Sequence, residues 1–541
     1  MAFPTIEVGD IQFLEPFGSR RRVSAGDYLY REGDPTYDFY VVVSGTVDVV
    51  MSADDGEQLI ARHGPGRFLG ELNMLTGQRA FVSARVAAAG EVIQVPRTSL
   101  RQVMVARPQL ADTVLAAFMA RRSMLLTGAA SAIRVIGSRF SPETRQVREY
   151  LSRSRIPHEW IDPETELDVE HLLATFGVTS AELPVVVVSG SVLRNATPGA
   201  LAEYLGLTVE SLPQRCFDLV VVGGGPAGLA ASVYGASEGL RTLALESLAF
   251  GGQAGTSSRI ENYLGFPMGI SGGDLTARAF VQAEKFGASL TSPCSATALG
   301  EKGGHLVIRL SDGTEVAGRA VIVATGARYR RLEAAGLEDF EGTSVYYAAT
   351  ELEARSCEGG PVVVAGGGNS AGQAALFLAA SGSAVSIVIR RANLSDSMSR
   401  YLIERVEADA RITVCPNATI VALQGNGSLS SLTLSTPAGA EKLSCVALFS
   451  FIGAEPGSQW LDGCAALDDR GFVLTDRALG DGQLGERWTS LGRPPLPYET
   501  SHPGLFAVGD VRSGSTKRVA TAVGEGSGAV GSVHQYLAFN H

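Results

Sequence analysis

The sequence predicts a multidomain fold: a small β-barrel or jelly roll, a compact α/β unit, and a C-terminal module of two βαβ units in series. Three observations carry this. Residues 20–100 are short β-branched runs broken by glycine, such as Phe39-Tyr-Val-Val-Val-Ser-Gly45 and Glu91-Val-Ile-Gln-Val95. Residues 131–212 alternate strand, helix, strand, helix. Two glycine-rich turns, Gly223-Gly-Gly-Pro-Ala-Gly228 and Gly366-Gly-Gly-Asn-Ser-Ala371, each join an apolar strand to an Ala-rich helix.

Length and composition agree with that partition. A chain of 541 residues is too long for one core when domains run to roughly 100–200 residues. Hydrophobic residues make up 45% and charged residues 19%, with 64 glycines, as in globular α/β proteins rich in tight turns rather than disordered chains. The net charge of −11, with no basic run longer than Arg20-Arg21-Arg22, argues against a nucleic-acid surface. The first residues lack a basic stretch followed by an apolar one, and no apolar run reaches the ~18 residues of a membrane span, so a cytoplasmic protein without a membrane partner is expected. Six scattered cysteines form no CxxC pair and seven histidines form no cluster. Structural thiols and no metal site follow.

Behind the barrel region, Leu110, Val114, Ala117 and Phe118 fall at helical spacing within 108–128. The first glycine-rich turn then follows the strand Phe217-Asp-Leu-Val-Val-Val222. There Gly223 makes the tight turn, Gly225 lets backbone approach a pyrophosphate, and Gly228 permits close helix packing, while the helix N-terminus attracts phosphate. The next strand ends in Glu246, 23 residues after Gly223, where a ribose diol needs an acceptor. The second turn repeats the pattern after Pro361-Val-Val-Val-Ala365, but the same count from Gly366 reaches Ile389, followed by Arg390 and Arg391. Two guanidiniums in place of a carboxylate suit a 2′-phosphate, so NADPH is expected over NADH.

In order, Gly251-Gly-Gln253, Ile260-Glu-Asn262, Ala324-Thr-Gly326, Phe451-Ile-Gly-Ala454 and Phe506-Ala-Val-Gly-Asp510 resemble the bacterial thioredoxin reductase pattern across residues 214–541. The resemblance implies an FAD site made by Gly223, Gly225, Pro226, Ala227, Gly228, Glu246, Gly252, Gln253, Asn262, Thr325, Gly326, Gly509, Asp510, Arg518, Val519 and Ala520. It likewise implies an NADPH site made by Gly366, Gly368, Asn369, Ser370, Ala371, Arg390 and Arg391. Lys517-Arg-Val-Ala-Thr521 stands where the family usually has Arg-Gln-Ala, so Val519 departs from it. A larger departure concerns the redox Cys-x-x-Cys: Ala348-Ala-Thr-Glu351 occupies its place. Thiolate attack on a disulfide needs a nucleophilic sulfur and a resolving partner, which this segment lacks. Glu351, if it faced the flavin, would be a candidate proton donor with a burial-raised pKa.

Residues 131–212 resemble a thioredoxin or glutaredoxin fold through Arg134-Val-Ile-Gly-Ser138, the helix after Pro142, His158-Glu-Trp-Ile-Asp162 and Glu182-Leu-Pro-Val-Val186. The loop Ser138–Glu143, where the redox motif would lie, holds no cysteine, so a docking or spacer domain is expected, with Pro184 resembling the family's cis-proline. The N-terminal barrel resembles a cyclic-nucleotide-binding domain through Gly26-Asp27, Gly33-Asp34, Phe39–Gly45 and Phe68-Leu-Gly-Glu-Leu72. There Gly70 and Glu71 match the family's Gly-Glu, and the resemblance gives Glu71 the ribose hydroxyl and Arg79 the cyclic phosphate of cyclic AMP or cyclic GMP.

The expected domains are therefore 1–128, cyclic-nucleotide-binding-like; 129–213, thioredoxin-like without cysteines; 214–335 with 456–541, a Rossmann-like FAD-binding domain; and 336–455, NADPH-binding. The expected activity is hydride transfer from NADPH to FAD and on to an acceptor other than a dithiol, either a quinone, another small oxidant or an electron-transfer protein. Two other readings stay open: a nucleotide or redox sensor with little turnover, and a disulfide reductase using a partner's thiols. The family resemblance favours a homodimer.

Overall fold

In the computed structural model all residues are described except 1, 35, 54–55, 72–79, 81, 128–132, 157, 166–172, 175, 189–190, 206, 209–215, 258–259, 261, 342, 348, 350 and 540–541. The chain divides into two compact units: Met1–Leu212 with Glu246–Ala249 and Val281–Cys294, and the remainder.

After a short helix, Val8–Leu14, the first unit runs through strands β1 (Ser19–Val23), β2 (Tyr28–Tyr30), β3 (Phe39–Ala53), β4 (Gly56–His63), β5 (Phe68–Leu69) and β6 (Ser83–Val95). They pair antiparallel in the order β1-β6-β3-β4, with β2 on β6 and β5 on β3. Alternate β3 residues Val47, Val49 and Met51 enter one core with Tyr30, Tyr40 and Leu69. The strand does not stop at Gly45, as the glycine-broken pattern suggests. Gly45 has φ +82°, and a Cβ there would lie 2.6 Å from the Ala88 carbonyl, so it forms an irregularity inside a 15-residue strand. Helices α1 (Arg97–Ala106) and α2 (Pro108–Thr127) follow, and Leu110, Val114, Ala117 and Phe118 of α2 are all buried.

The same unit holds β7 (Ile133–Ile136), α3 (Pro142–Arg153), β8 (Glu159–Ile161), β9 (Val185–Val188), β10 (Ser191–Leu193) and α4 (Pro198–Tyr204). The sheet order is β10-β9-β7-β8, with β7 and β8 parallel and the other pairs antiparallel. Ser141 and Thr197 start the two helices by accepting the Thr144 and Ala200 amides, each before a proline that needs no partner in the first turn. The Leu183–Pro184 peptide is cis, immediately before β9.

The second unit contains two parallel-centred sheets. In the first, β11 (Cys216–Val222) is flanked by β12 (Thr242–Leu245) and β16 (Glu315–Val323), all parallel. The antiparallel β14 (Ala296–Lys302) and β15 (His305–Leu310) extend it, while β27 (Leu505–Ala507) pairs with β16. Helix α5 (Pro226–Ser237) follows β11, and the 21-residue α9 (Val519–Phe539) packs on α5. The second sheet runs β18 (Val345–Tyr346), β25 (Ala447–Ser450), β19 (Val362–Ala365), β20 (Val385–Val388), β21 (Ile412–Cys415), entirely parallel. Beside it lie α6 (Glu351–Ser356), α7 (Asn369–Ala380), α8 (Arg400–Ala408) and a three-stranded meander over 419–444. Strands Ala327–Tyr329 and Ala454–Pro456 pair where the chain passes between the sheets. Among the described residues no helix is long and apolar enough to cross a membrane.

Candidate functional site

Both glycine-rich turns sit at the carboxyl end of a central parallel strand, where open α/β sheets bind ligands. Gly223 has φ +111°, and a Cβ there would lie 2.3 Å from the Ala324 carbonyl oxygen; Gly366 has φ +129°, with the Phe451 carbonyl oxygen equally close. Only glycine fits either turn. A Cβ on Gly228 would lie 1.8 Å from the Gly223 oxygen, so this position closes helix onto turn. At Gly225 and Gly368 a Cβ would meet nothing nearer than 3.9 Å, an ordinary contact distance, so neither position is crowded as Gly228 is. Neither helix has a side-chain cap. Uncapped N–H groups at the two helix starts fit the phosphates of a dinucleotide at each turn. Pro226 and Ala227 form the first turn of α5, and Asn369, Ser370 and Ala371 that of α7, where Asn369 Oδ1 accepts the Ser399 amide at 2.7 Å.

The ends of the second strands differ as the sequence indicates. Glu246 follows β12 and is half-buried; its Oε1 accepts the Leu248 amide at 3.1 Å and the Ser247 hydroxyl at 3.0 Å. After β20, Ile389 is buried while Arg390 and Arg391 are exposed. Arg391 lies 3.8 Å from Asp396 in an open ion pair, which water screens.

The remaining predicted residues of the first site fall in three places. Gly252 presses on Gly225, since its Cβ would lie 2.8 Å from the Gly225 Cα, and Gln253 donates its side-chain amide to the Ala327 carbonyl. Asn262 is exposed. Thr325 donates its hydroxyl to the Gly457 carbonyl at 2.7 Å, and the Gly457 amide returns to Gly326 at 2.9 Å. Gly509 and Asp510 follow β27, and burial raises the pKa of the Asp510 carboxyl above the usual range. Arg518 precedes α9, and Val519 and Ala520 begin it, so Val519 brings a main-chain helix terminus to the position whose side chain departs from the family pattern.

Where the redox dithiol would stand, Ala348 and Thr350 lie outside the described residues. Glu351 begins α6, but its side chain lies outside what the structure describes. Ahead of them Tyr347 donates its hydroxyl to Glu341 at 2.7 Å, and Arg331 pairs with the same carboxylate. Burial and Glu341 push the Tyr347 pKa up to about 12. All six cysteines are free, and only Cys357 and Cys445 are fully buried, the other four being half-buried. Cys357 occupies the turn after α6, its thiol on the Glu353 carbonyl at 3.1 Å and its pKa pushed to about 11 by burial. It is a poor nucleophile there.

In the N-terminal unit Gly70 has φ +95°, and Glu71 is buried with its Oε1 held by Arg121 of α2 at 2.6 Å. Arg121 also donates to the Phe68 and Ala2 carbonyls. Sequence reading missed this arginine, which comes from a helix fifty positions away. Glu71 Oε2 is buried and has no partner among the described residues. Arg79 lies outside the described residues.

Comparison with known proteins matches residues 217–526 to the pyridine nucleotide-disulphide oxidoreductase family and residues 20–107 to the cyclic nucleotide-binding domain. Thioredoxin reductase of Treponema pallidum is 33% identical over 328 residues, covering 59% of this chain and 97% of the relative. That of Mycolicibacterium smegmatis is 32% identical over 335 residues, covering 61% and 99%. Among solved structures, Lactococcus lactis thioredoxin reductase aligns with TM-score 0.51 at 26% identity, and that of T. acidophilum with 0.53 at 25%; each covers 60% of this chain and 99% of the other. The chain belongs to the pyridine nucleotide-disulphide oxidoreductase family. Within it, the chain is an oxidoreductase of the thioredoxin reductase type, a family whose cofactors are FAD and a nicotinamide nucleotide, carrying an N-terminal cyclic-nucleotide-binding domain.

Proposed function

We propose that the protein oxidises NADPH at the Gly366 turn, reduces FAD at the Gly223 turn, and delivers the electrons to an acceptor other than a dithiol of its own. The observation that carries this is Ala348-Ala-Thr-Glu351, which puts no sulfur where the family resemblance expects two. The two domains proposed for this module are 214–335 with 456–541 for FAD and 336–455 for NADPH, a division supported by there being two separate sheets. When bound, flavin supplies two-electron chemistry, accepting a hydride from nicotinamide and passing electrons onward. The chain's part is positional: Gly223, Gly225 and the α5 terminus hold the pyrophosphate, Glu246 the ribose, and Gly509 with Asp510 the ribitol side. Arg390 and Arg391 select the 2′-phosphate. Cys357, buried in its turn, does not stand in for the missing pair. A quinone, another small oxidant or an electron-transfer protein is the acceptor, and a homodimer is the proposed assembly. Glu351 is the proposed proton donor to reduced flavin or to the acceptor, for which Glu351→Gln with separate reductive and oxidative half-reactions is the test; unchanged rates in both remove it.

Steady-state NADPH oxidation with thioredoxin, quinones, ferricyanide and ferredoxin as acceptors tests the main reading. Turnover with a non-thiol acceptor and none with thioredoxin is expected. Thioredoxin reduction at a comparable rate sinks it.

The buried, half-paired Glu71 supports a second reading for the N-terminal unit, binding of cyclic AMP or cyclic GMP as effector, since its open Oε2 suits a ribose hydroxyl. Calorimetry should show saturable binding that Arg79→Ala removes; no heat with either nucleotide leaves a packing module. Residues 129–213 are proposed as a thioredoxin-like docking or spacer domain, supported by the mixed sheet and by cis-Pro184.

A further inference from the structure

The turn after β27 and the loop behind it converge on one buried carboxylate of α9. Glu525, in the second turn of α9, is 5% exposed. Its Oε2 accepts the Gly509 amide at 2.7 Å and Arg512 Nε at 3.1 Å. Its Oε1 accepts Arg512 Nη2 at 2.5 Å and the Ser515 hydroxyl at 2.9 Å. A carboxylate out of water is costly unless paired and hydrogen-bonded, and here four donors satisfy it. Its surroundings cannot slide. A Cβ on Gly526 would lie 2.1 Å from the Ala227 carbonyl oxygen, and one on Gly509 would lie 2.9 Å from the Ala227 Cβ. So α9, the first turn of α5 and the turn after β27 are pressed together around this side chain.

Each segment so joined carries residues assigned above to FAD: Ala227 in α5, Asp510 beside Gly509, and Val519 at the start of α9. In the loop between them, Arg512, Ser515 and Lys517 also line a cavity of about 370 Å³ with Asp468, Arg470 and Phe472. We propose that Glu525 is a positioning residue for the flavin: it fixes the Gly509–Asp510 turn and, through Arg512 and Ser515, the loop leading to α9, without touching the cofactor. The proposal rests on the FAD reading of the Gly223 turn. Removing the carboxylate frees a backbone amide and strands the Arg512 guanidinium, and bonds to a charged partner are worth enough to move an affinity about tenfold or more.

The test uses the full chain stripped of flavin. FAD is titrated back by fluorescence quenching, the reconstituted protein's absorbance spectrum and midpoint potential are recorded, and the flavin-free protein is melted. Glu525→Ala is expected to weaken FAD binding at least about tenfold and to shift the flavin potential. Glu525→Gln, whose amide oxygen can still accept the Gly509 N–H, should recover part of both. Glu499 is the matched control, 0% exposed and paired with Arg493 at 2.7 Å in the same unit: Glu499→Gln should lower the melting temperature while leaving FAD affinity and potential unchanged. Should Glu525→Ala fail to fold, Glu525→Gln decides alone. Glu525 variants that bind FAD within twofold of the wild type, with the same spectrum and potential, overturn the proposal. So do variants whose affinity loss only follows their melting temperature as the Glu499 variant's does. Wild-type protein that takes up no FAD overturns the underlying FAD reading as well.

Discussion

The two glycine-rich turns share a beginning and differ in what surrounds them. At Gly223 and Gly366 the backbone takes the same left-handed turn against a carbonyl 2.3 Å from where a Cβ would stand. Five residues on, the first turn has Gly228 pressed on its own turn, while the second has Ala371, fully buried with its methyl accommodated. The first helix is squeezed further, because Gly526 of α9 lies against its Ala227 carbonyl; the second meets α8 and the flexible Met398 side chain just ahead of it, which lies near Gly372. The same turn geometry is thus built into tight packing at one turn and looser packing at the other. A cofactor that stays bound through turnover suits the first, and a substrate that must exchange suits the second.

The largest effect should come from breaking the tighter turn. Gly228→Ala puts a methyl 1.8 Å from the Gly223 oxygen, so helix or turn must move, at about 2–3 kcal/mol for overpacking. The purified protein should lose its visible flavin absorbance, and retention of a full complement would refute the comparison. Gly366→Ala should leave flavin content intact and lower the rate of NADPH-driven flavin reduction about 100-fold, since small misplacements of a reacting pair cost that much. Reduction by dithionite is the control. Loss of flavin in this variant would mean that the two sites are not separable.

The strand ends sharpen the comparison next. With Arg390 and Arg391 both changed to alanine, KM for NADPH should rise about 10- to 100-fold, the scale of one or two lost charge-assisted contacts. KM for NADH should stay within a factor of two or three. An equal rise for both nucleotides would show that the arginines do not read the 2′-phosphate.

Much of this was legible in the sequence because it is local. A strand, three glycines and a helix sit within a dozen residues, and the strand end follows at a fixed count, so Glu246 and the Ile389-Arg390-Arg391 contrast needed no tertiary knowledge. Gly45 was misread because positive φ serves both a strand end and a bulge, and only the pairing of β3 with β6 tells them apart. Glu525 and Arg512 were invisible as partners, since their pairing depends on how α9 returns to the turn after β27. The signal was present in Gly524-Glu-Gly526, a lone acid between glycines inside an Ala- and Val-rich helix, which marks close packing around a charge. Arg121 was missed for the same reason, being one of two adjacent arginines on a helix whose buried face only the fold reveals.

The smallest prediction probes what the looser turn tolerates. Ala371 occupies the position of Gly228, and its real Cβ shows that α7 stands clear of the Gly366 carbonyl. Ala371→Gly therefore relieves no clash and costs only helix propensity and a small void, about 1 kcal/mol. Flavin content should be unchanged and KM for NADPH should move no more than two- or threefold, with thermal unfolding slightly earlier. If this variant instead bound NADPH much more tightly, the methyl would be holding the helix away from its ligand. The difference between the turns would then be an adjustable setting of affinity rather than a fixed consequence of how each helix packs.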